Sequence, residues 1–128
     1  MGDDAEPARE RATFAGTPGQ RRVTLAEAGR WPVPPGNLAA PVLAHGTLEV
    51  EYYAPRGIDP QQPHTRDELY VIAAGRGWFV NGDERHPFVA GDVLFVPAGV
   101  AHRFEDFTDD FATWVVFYGP EGGEAAGS

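Results

Sequence analysis

His64 and Glu68 stand four residues apart in QPHTRDELY, residues 62–70, ahead of an apolar run that closes at Gly75. Imidazoles and carboxylates are the side chains that hold metal ions and move protons. On an extended strand, residues two apart face the same way. Gln62, His64, Glu68 and Tyr70 share that parity, and so do Ile72 and Ala74, which suit an interior face. If residues 62–70 run straight, the four polar side chains point together into apolar surroundings. A carboxylate buried beside an imidazole is costly without a compensating charge. A divalent cation supplies one, and imidazole nitrogen, carboxylate oxygen and amide oxygen suit iron, manganese, nickel or zinc. The competing reading is a polar-lined pocket without metal. In that reading Gln62 is a mouth residue bonded to His64 or a ligand, and Tyr70 is core with its hydroxyl satisfied.

A metal needs a third ligand. The best candidate is His102 in GDVLFVPAGVAHRF, residues 91–104, where Gly91-Asp92 leads into an apolar strand and Pro97-Ala98-Gly99 turns out of it. His102 then opens the next strand, with Phe104 on its face. Arg66 shares the parity of His64 and is close enough to reach an anionic substrate, though a charge beside a turn is usually solvated. His45 and His86 fall at turns and read as surface residues.

The elements that must position these groups are short. Thr24 and Glu27 have capping-box spacing, so TLAEA predicts one short helix that Gly29 ends. The prolines of WPVPPG cannot continue it. From Leu38 onward there are only strands and turns. Residues 38–44 and 47–54 read as a hairpin about His45-Gly46, and Leu48, Val50 and Tyr52 alternate with Glu49, Glu51 and Tyr53, one face buried and one wet. Asn81-Gly82 predicts a type I′ hairpin between WFV and ERHPF. Strands follow at VLFVP, HRF and FATWVVFY, with Trp78, Phe95, Phe104 and Trp114 expected in the packing. Seven to nine short strands with turns between them predict an all-β chain, a small antiparallel β-barrel with one short N-terminal helix.

Composition bounds the rest. The chain of 128 residues fits one domain, placed at 21–120 between arms at 1–20 and 121–128 that carry few large apolar side chains. With no cysteine, disulfides, thiolate metal sites and cysteine nucleophiles are excluded. A formal charge of −9 repels phosphate backbones, so nucleic acid is not expected as a partner. No apolar run approaches the ~20 residues of a membrane helix, and the first residues lack a secretory pattern. A cytoplasmic protein is expected.

The motifs also resemble a known family. Gly91, Pro97, Gly99 and His102 match the second cupin motif, G-x5-P-x-G-x2-H-x3-N, with Asp106 at the Asn position. His64, Glu68 and Gly75 match the second His, the Glu and the last Gly of the first motif, G-x5-H-x-H-x3,4-E-x6-G. Gln62 takes the place of the first His, and Gly57 lies one residue too close. The resemblance covers about residues 38–118 and implies a small cupin, a double-stranded β-helix or jelly roll. It also implies one divalent metal ion held by Gln62, His64, Glu68 and His102. The Gln-x-His order is similar to that at the zinc site of type I phosphomannose isomerases.

Several functions follow as expectations. One is a metal-dependent enzyme on a small organic molecule, dioxygenase-like with iron or manganese, an isomerase or lyase with zinc or nickel. Glu68 or Tyr70 would then move protons. Others are a non-catalytic binding or sensor module and a structural barrel with a relic site. By analogy with the family, a homodimer is expected, with residues 11–23 available for exchange.

Overall fold

The computed structural model describes residues 20–125. The expected arm at 1–20, and with it most of the segment proposed for exchange, lies almost entirely outside the described residues. Helix α1 (Leu25–Arg30) has the expected capping box. Thr24 Oγ1 accepts from the Glu27 amide at 3.1 Å, and the Glu27 carboxylate accepts from the Thr24 amide at 2.8 Å. Gly29 does not end the helix. The break comes at Trp31, φ −71° and ψ 134°, because a residue before proline is pushed out of the helical region.

Among the described residues eight strands follow: β1 (Ala40–His45), β2 (Leu48–Tyr53), β3 (Asp67–Ala74), β4 (Arg76–Asn81), β5 (Glu84–Val89), β6 (Val93–Val96), β7 (His102–Glu105) and β8 (Ala112–Tyr118). They form a five-stranded sheet, β1-β2-β8-β3-β6, and a three-stranded sheet, β5-β4-β7, with antiparallel pairing throughout. The expected barrel is therefore an open jelly roll whose two sheets meet through side chains. The strand prolines, Pro41 and Pro87, lie on β1 and β5, both edge strands, where a missing donor breaks no inner ladder.

The core lies between the sheets, where Tyr70, Ile72, Leu94, Val96 and Val115 of one meet Phe79, Phe88 and Phe104 of the other. The β2 alternation resolves in an unexpected sense. Val50 and Tyr52 pack outward with Trp114 against Val42, Ala28 and Trp31, a second apolar layer under α1. Glu49, Glu51 and Tyr53 face inward and line a pocket. Trp78 and Phe95, expected in the packing, are 37% and 46% exposed. At the β4–β5 turn Asn81 stays in the strand, paired with Glu84. The loop is thus Gly82-Asp83, with only Gly82 at positive φ (+64°), a type II′ pattern instead of I′. Among the described residues no helix is long and apolar enough to cross a membrane.

Gly75 joins β3 to β4 at φ +84°, and a Cβ there would sit 2.6 Å from Phe111 Cα. Gly91, at φ +94°, has open space around it. An alanine at either site takes a strained backbone, about 1–3 kcal/mol. Gly75→Ala must also displace backbone, so we expect its urea midpoint to fall well below that of Gly91→Ala. Equal midpoints would show that the β8 approach is not felt.

Candidate metal centre

β3 carries Glu68 into the core at 1% exposure, and β7 opens with His102 at 4%. His64 precedes β3 on the loop at the pocket. The two imidazoles and the carboxylate each offer an atom within 4.8 Å of the others. His102 Nε2 lies 3.2 Å from Glu68 Oε1, and His64 Nε2 lies 3.9 Å from it. The imidazole rings are 5.3 Å apart, and Phe117 packs edge-on against His64 at 5.0 Å.

Local turns set these positions. The Gly99 amide donates to the His64 carbonyl at 2.7 Å, so the Pro97–Gly99 turn holds the loop that carries His64. His102 Nδ1 donates to the Val100 carbonyl at 2.9 Å, which leaves Nε2 as a lone pair aimed at Glu68. Asp67, next to Glu68, accepts from the Ala98 amide at 3.0 Å and the Glu124 amide at 2.8 Å. Residues of the expected C-terminal arm are thereby tied to β3, as Gly122 is to the Thr65 carbonyl.

Among the described residues, both Glu68 oxygens and His102 Nε2 are buried without a hydrogen-bond partner. In the tautomer set by Val100, a lone pair faces a carboxylate in apolar surroundings. Buried polar groups are rarely left so, and a proton or a cation between them removes the conflict. Two ligands bound at about 2.1 Å to one ion stand roughly 3.0–3.4 Å apart, and the His102–Glu68 separation falls in that range. The three residues fit a divalent metal of the nitrogen- and oxygen-liking kind.

Burial lowers the His102 pKa, but Glu68 beside it, the Val100 carbonyl and Asp59 outweigh burial and leave it raised. The Tyr70 hydroxyl is pushed well up by burial and then by the Glu68 charge, so it stays neutral. Tyr70 is fully buried, its ring 6.0 Å from His102 and 4.9 Å from Phe104.

The parity argument for Gln62 does not carry. Gln62 is exposed, and Pro63 and a bend at Thr65–Arg66 precede the first strand residue, Asp67. The glutamine at the site is Gln61, whose Oε1 accepts from Tyr70 at 3.0 Å and lies 3.3 Å from His64 Nε2. Sequence reasoning also missed Asp59, which accepts from Gln61 Nε2 at 2.8 Å. Strand parity and the motif position both point to Gln62 and pass over Gln61, for which the Gln61-Gln62 doublet is the available signal. Arg66 is not solvated: it is 8% exposed, and it lines the pocket. It pairs with Glu49 at 3.3 Å and donates to the Gly119 and Thr47 carbonyls. Asp106, at the motif's Asn position, has φ +51°, a left-handed conformation that Asn and Asp tolerate better than most residues.

A family model for the cupin domain matches residues 49–118, more than half of the chain. An uncharacterized protein of Streptomyces coelicolor is 43% identical over 49% of this chain and 60% of its own length. The transcriptional activator RhaR of Mannheimia succiniciproducens is 32% identical over 59% of this chain but only 26% of its own. The chain thus spans less than two thirds of either relative. Among solved structures, a cupin 2 conserved barrel protein of Salinispora arenicola superposes with a TM-score of 0.55 at 24% identity, covering 69% of this chain and 86% of that one. A Rhizobium leguminosarum protein of unknown function reaches 0.64 at 20% identity, covering 79% and 98%. At these identities the structures attest the fold alone.

A metal bound through His102 Nε2 would have to displace any proton held there. With that pKa raised above 6.5, we expect apparent metal affinity to fall about tenfold per pH unit below the raised value. In metal-free protein the sign is opposite. The shift adds stability that is complete below the unfolded value and is lost as pH rises through the folded one. Titrations with zinc and urea melts across pH 5–8 check both slopes.

Proposed function

The chain belongs to the cupin domain family, and from that premise we propose that it is a metal-dependent enzyme acting on a small organic molecule, with dioxygenase-like chemistry favoured. One observation carries the reading. The buried Glu68 oxygens and His102 Nε2, without partners among the described residues, stand beside His64, and His64 and Glu68 line a pocket with Glu49, Glu51, Tyr53, Gln61 and Phe117. Two imidazoles and one carboxylate follow the plan of oxygen-activating non-haem iron centres. His64, Glu68 and His102 would hold the ion, which in such sites supplies Lewis acidity and redox capacity.

The chain's own residues do the rest. Phe117 and Val115 form an apolar wall, and Glu49 and Glu51 offer polar contacts to a bound molecule. Tyr70 keeps its proton and supplies a fixed dipole through Gln61. Glu68 brings a buried carboxyl group to the pocket lining. An isomerase or lyase could use the same groups to hold a carbonyl compound while a proton moves.

The likeness to part of a transcriptional activator favours a second reading, a ligand-binding module without turnover. Elemental analysis comes first. We expect close to one metal per chain in the purified protein, and its loss in His64→Ala and His102→Ala. The iron-loaded protein is then expected to consume oxygen with small phenols, diketones or thiols. Protein that takes up no metal would sink the enzyme reading, and stoichiometric metal with ligand binding but no turnover would favour the sensor.

We also propose a homodimer. Val93 and Phe95 on β6 are 60% and 46% exposed, beside Leu69 and Val71 in register on β3. The same outer face is covered by α1 only at the Trp114 side. Residues 1–19 offer only Met1 and Phe14 as large apolar groups, so a second copy is the better occupant. Light scattering is expected to show a dimer that Phe95→Glu converts to monomer.

A further inference from the structure

Gln61 lies at the centre of a hydrogen-bond chain that the metal motifs do not include. Asp59, 6% exposed, is its anchor. The Tyr53 hydroxyl donates to Asp59 Oδ1, while Asp59 Oδ2 accepts from the Phe104 amide at 2.8 Å and from Gln61 Nε2 at 2.8 Å. A side-chain amide is often ambiguous in its orientation. Here the Phe104 amide donates to the same Oδ2, which marks that oxygen as an acceptor, so the Gln61 NH2 faces Asp59. Oε1 is thereby turned the other way, toward the Tyr70 hydroxyl at 3.0 Å and His64 Nε2 at 3.3 Å. A carbonyl oxygen has two lone pairs, and Tyr70 takes one. The other lies beside the nitrogen that His64 brings to the cluster. That separation is within the roughly 3.0–3.4 Å that two ligands of one ion require.

We propose that Gln61 Oε1 is the fourth protein ligand of the metal, with Asp59 as the residue that positions it. The inference rests on the metal-centre reading. It makes a neutral amide from outside the motif spacing take the place of the missing first histidine. Asp59 does not touch the ion. It prevents the amide from turning its NH2, which cannot ligate, toward the site.

Cobalt(II) alone is the probe, because its visible absorption reports the ligand set and its titration reports affinity. Gln61→Met keeps the side chain's length and removes the amide. We expect it to weaken cobalt binding by about 10–100-fold, to the extent that lost metal-site contacts do, and to change the spectrum of the saturated protein. Gln62→Met is expected to change neither. Asp59→Ala should weaken binding while leaving the saturated spectrum that of the wild type, and urea melts of the metal-free variants check that each folds. If Asp59→Ala does not fold, Asp59→Ser provides the same comparison. A Gln61→Met protein with wild-type affinity and spectrum overturns the proposal. So does one with weaker binding but an unchanged saturated spectrum, which would make Gln61 only a support for His64. Wild-type protein that binds no cobalt overturns the metal-centre reading itself, a result distinct from either.

Discussion

A carboxylate inside an apolar core is the constraint around which this molecule is arranged. Glu68 sits at 1% exposure, facing an imidazole nitrogen at 3.2 Å, and among the described residues neither has a hydrogen-bond partner. Ionised groups in such surroundings persist only when another charge or donor meets them. Arg66, two residues away in the chain, is engaged with Glu49 and two carbonyls instead. The site is therefore selective by exclusion: it is stabilised by whatever positive charge fits between two imidazoles and a carboxylate. Protonated His102 is one such charge and a divalent ion is a stronger one. Stability and binding are two readings of the same unmet electrostatic demand.

The turns hold this arrangement rigid. Gly99 ties the His64 loop to the start of the path toward His102, and Val100 sets the tautomer of His102 two residues on. One turn thus governs two of the three cluster residues, though they lie 38 positions apart in the chain. Asp67 adds a further tie from β3 to the same turn and to the C-terminal residues. Side chains held by strands or braced turns lose little freedom when they take up a partner, which is the general route to tight binding.

The five-stranded sheet explains how so small a domain can hold a polar interior. Its inner face carries the pocket, with Glu49, Glu51 and Glu68 among its lining. Its outer face carries a second apolar layer of Val42, Val50, Tyr52 and Trp114 under α1. Burial lost to the polar pocket on one side is recovered on the other. The outer layer is complete only where the helix reaches it, and this leaves Val93 and Phe95 facing outward.

Much of this was legible from residue types and spacing. The capping box at Thr24, the strand count, and the order of Gly75, Gly91, Pro97 and Gly99 are local signals, and local signals survive without tertiary context. His64, Glu68 and His102 could be grouped because two motifs carry them at set intervals. What could not be read was anything that depends on where the chain leaves a strand. Strand periodicity places side chains only while pairing lasts, and pairing before β3 stops at Asp67, so the parity that pointed to Gln62 had no ladder to sustain it. The sense of the β2 alternation was equally open, because a row of glutamates faces a pocket or solvent with the same period. Sequence by itself determined the strands, the turns and the three residues of the cluster. Tertiary structure decided which glutamine meets them, which face of the sheet is inside, and that Arg66 is spent on the fold, because each depends on contacts between segments far apart in the chain.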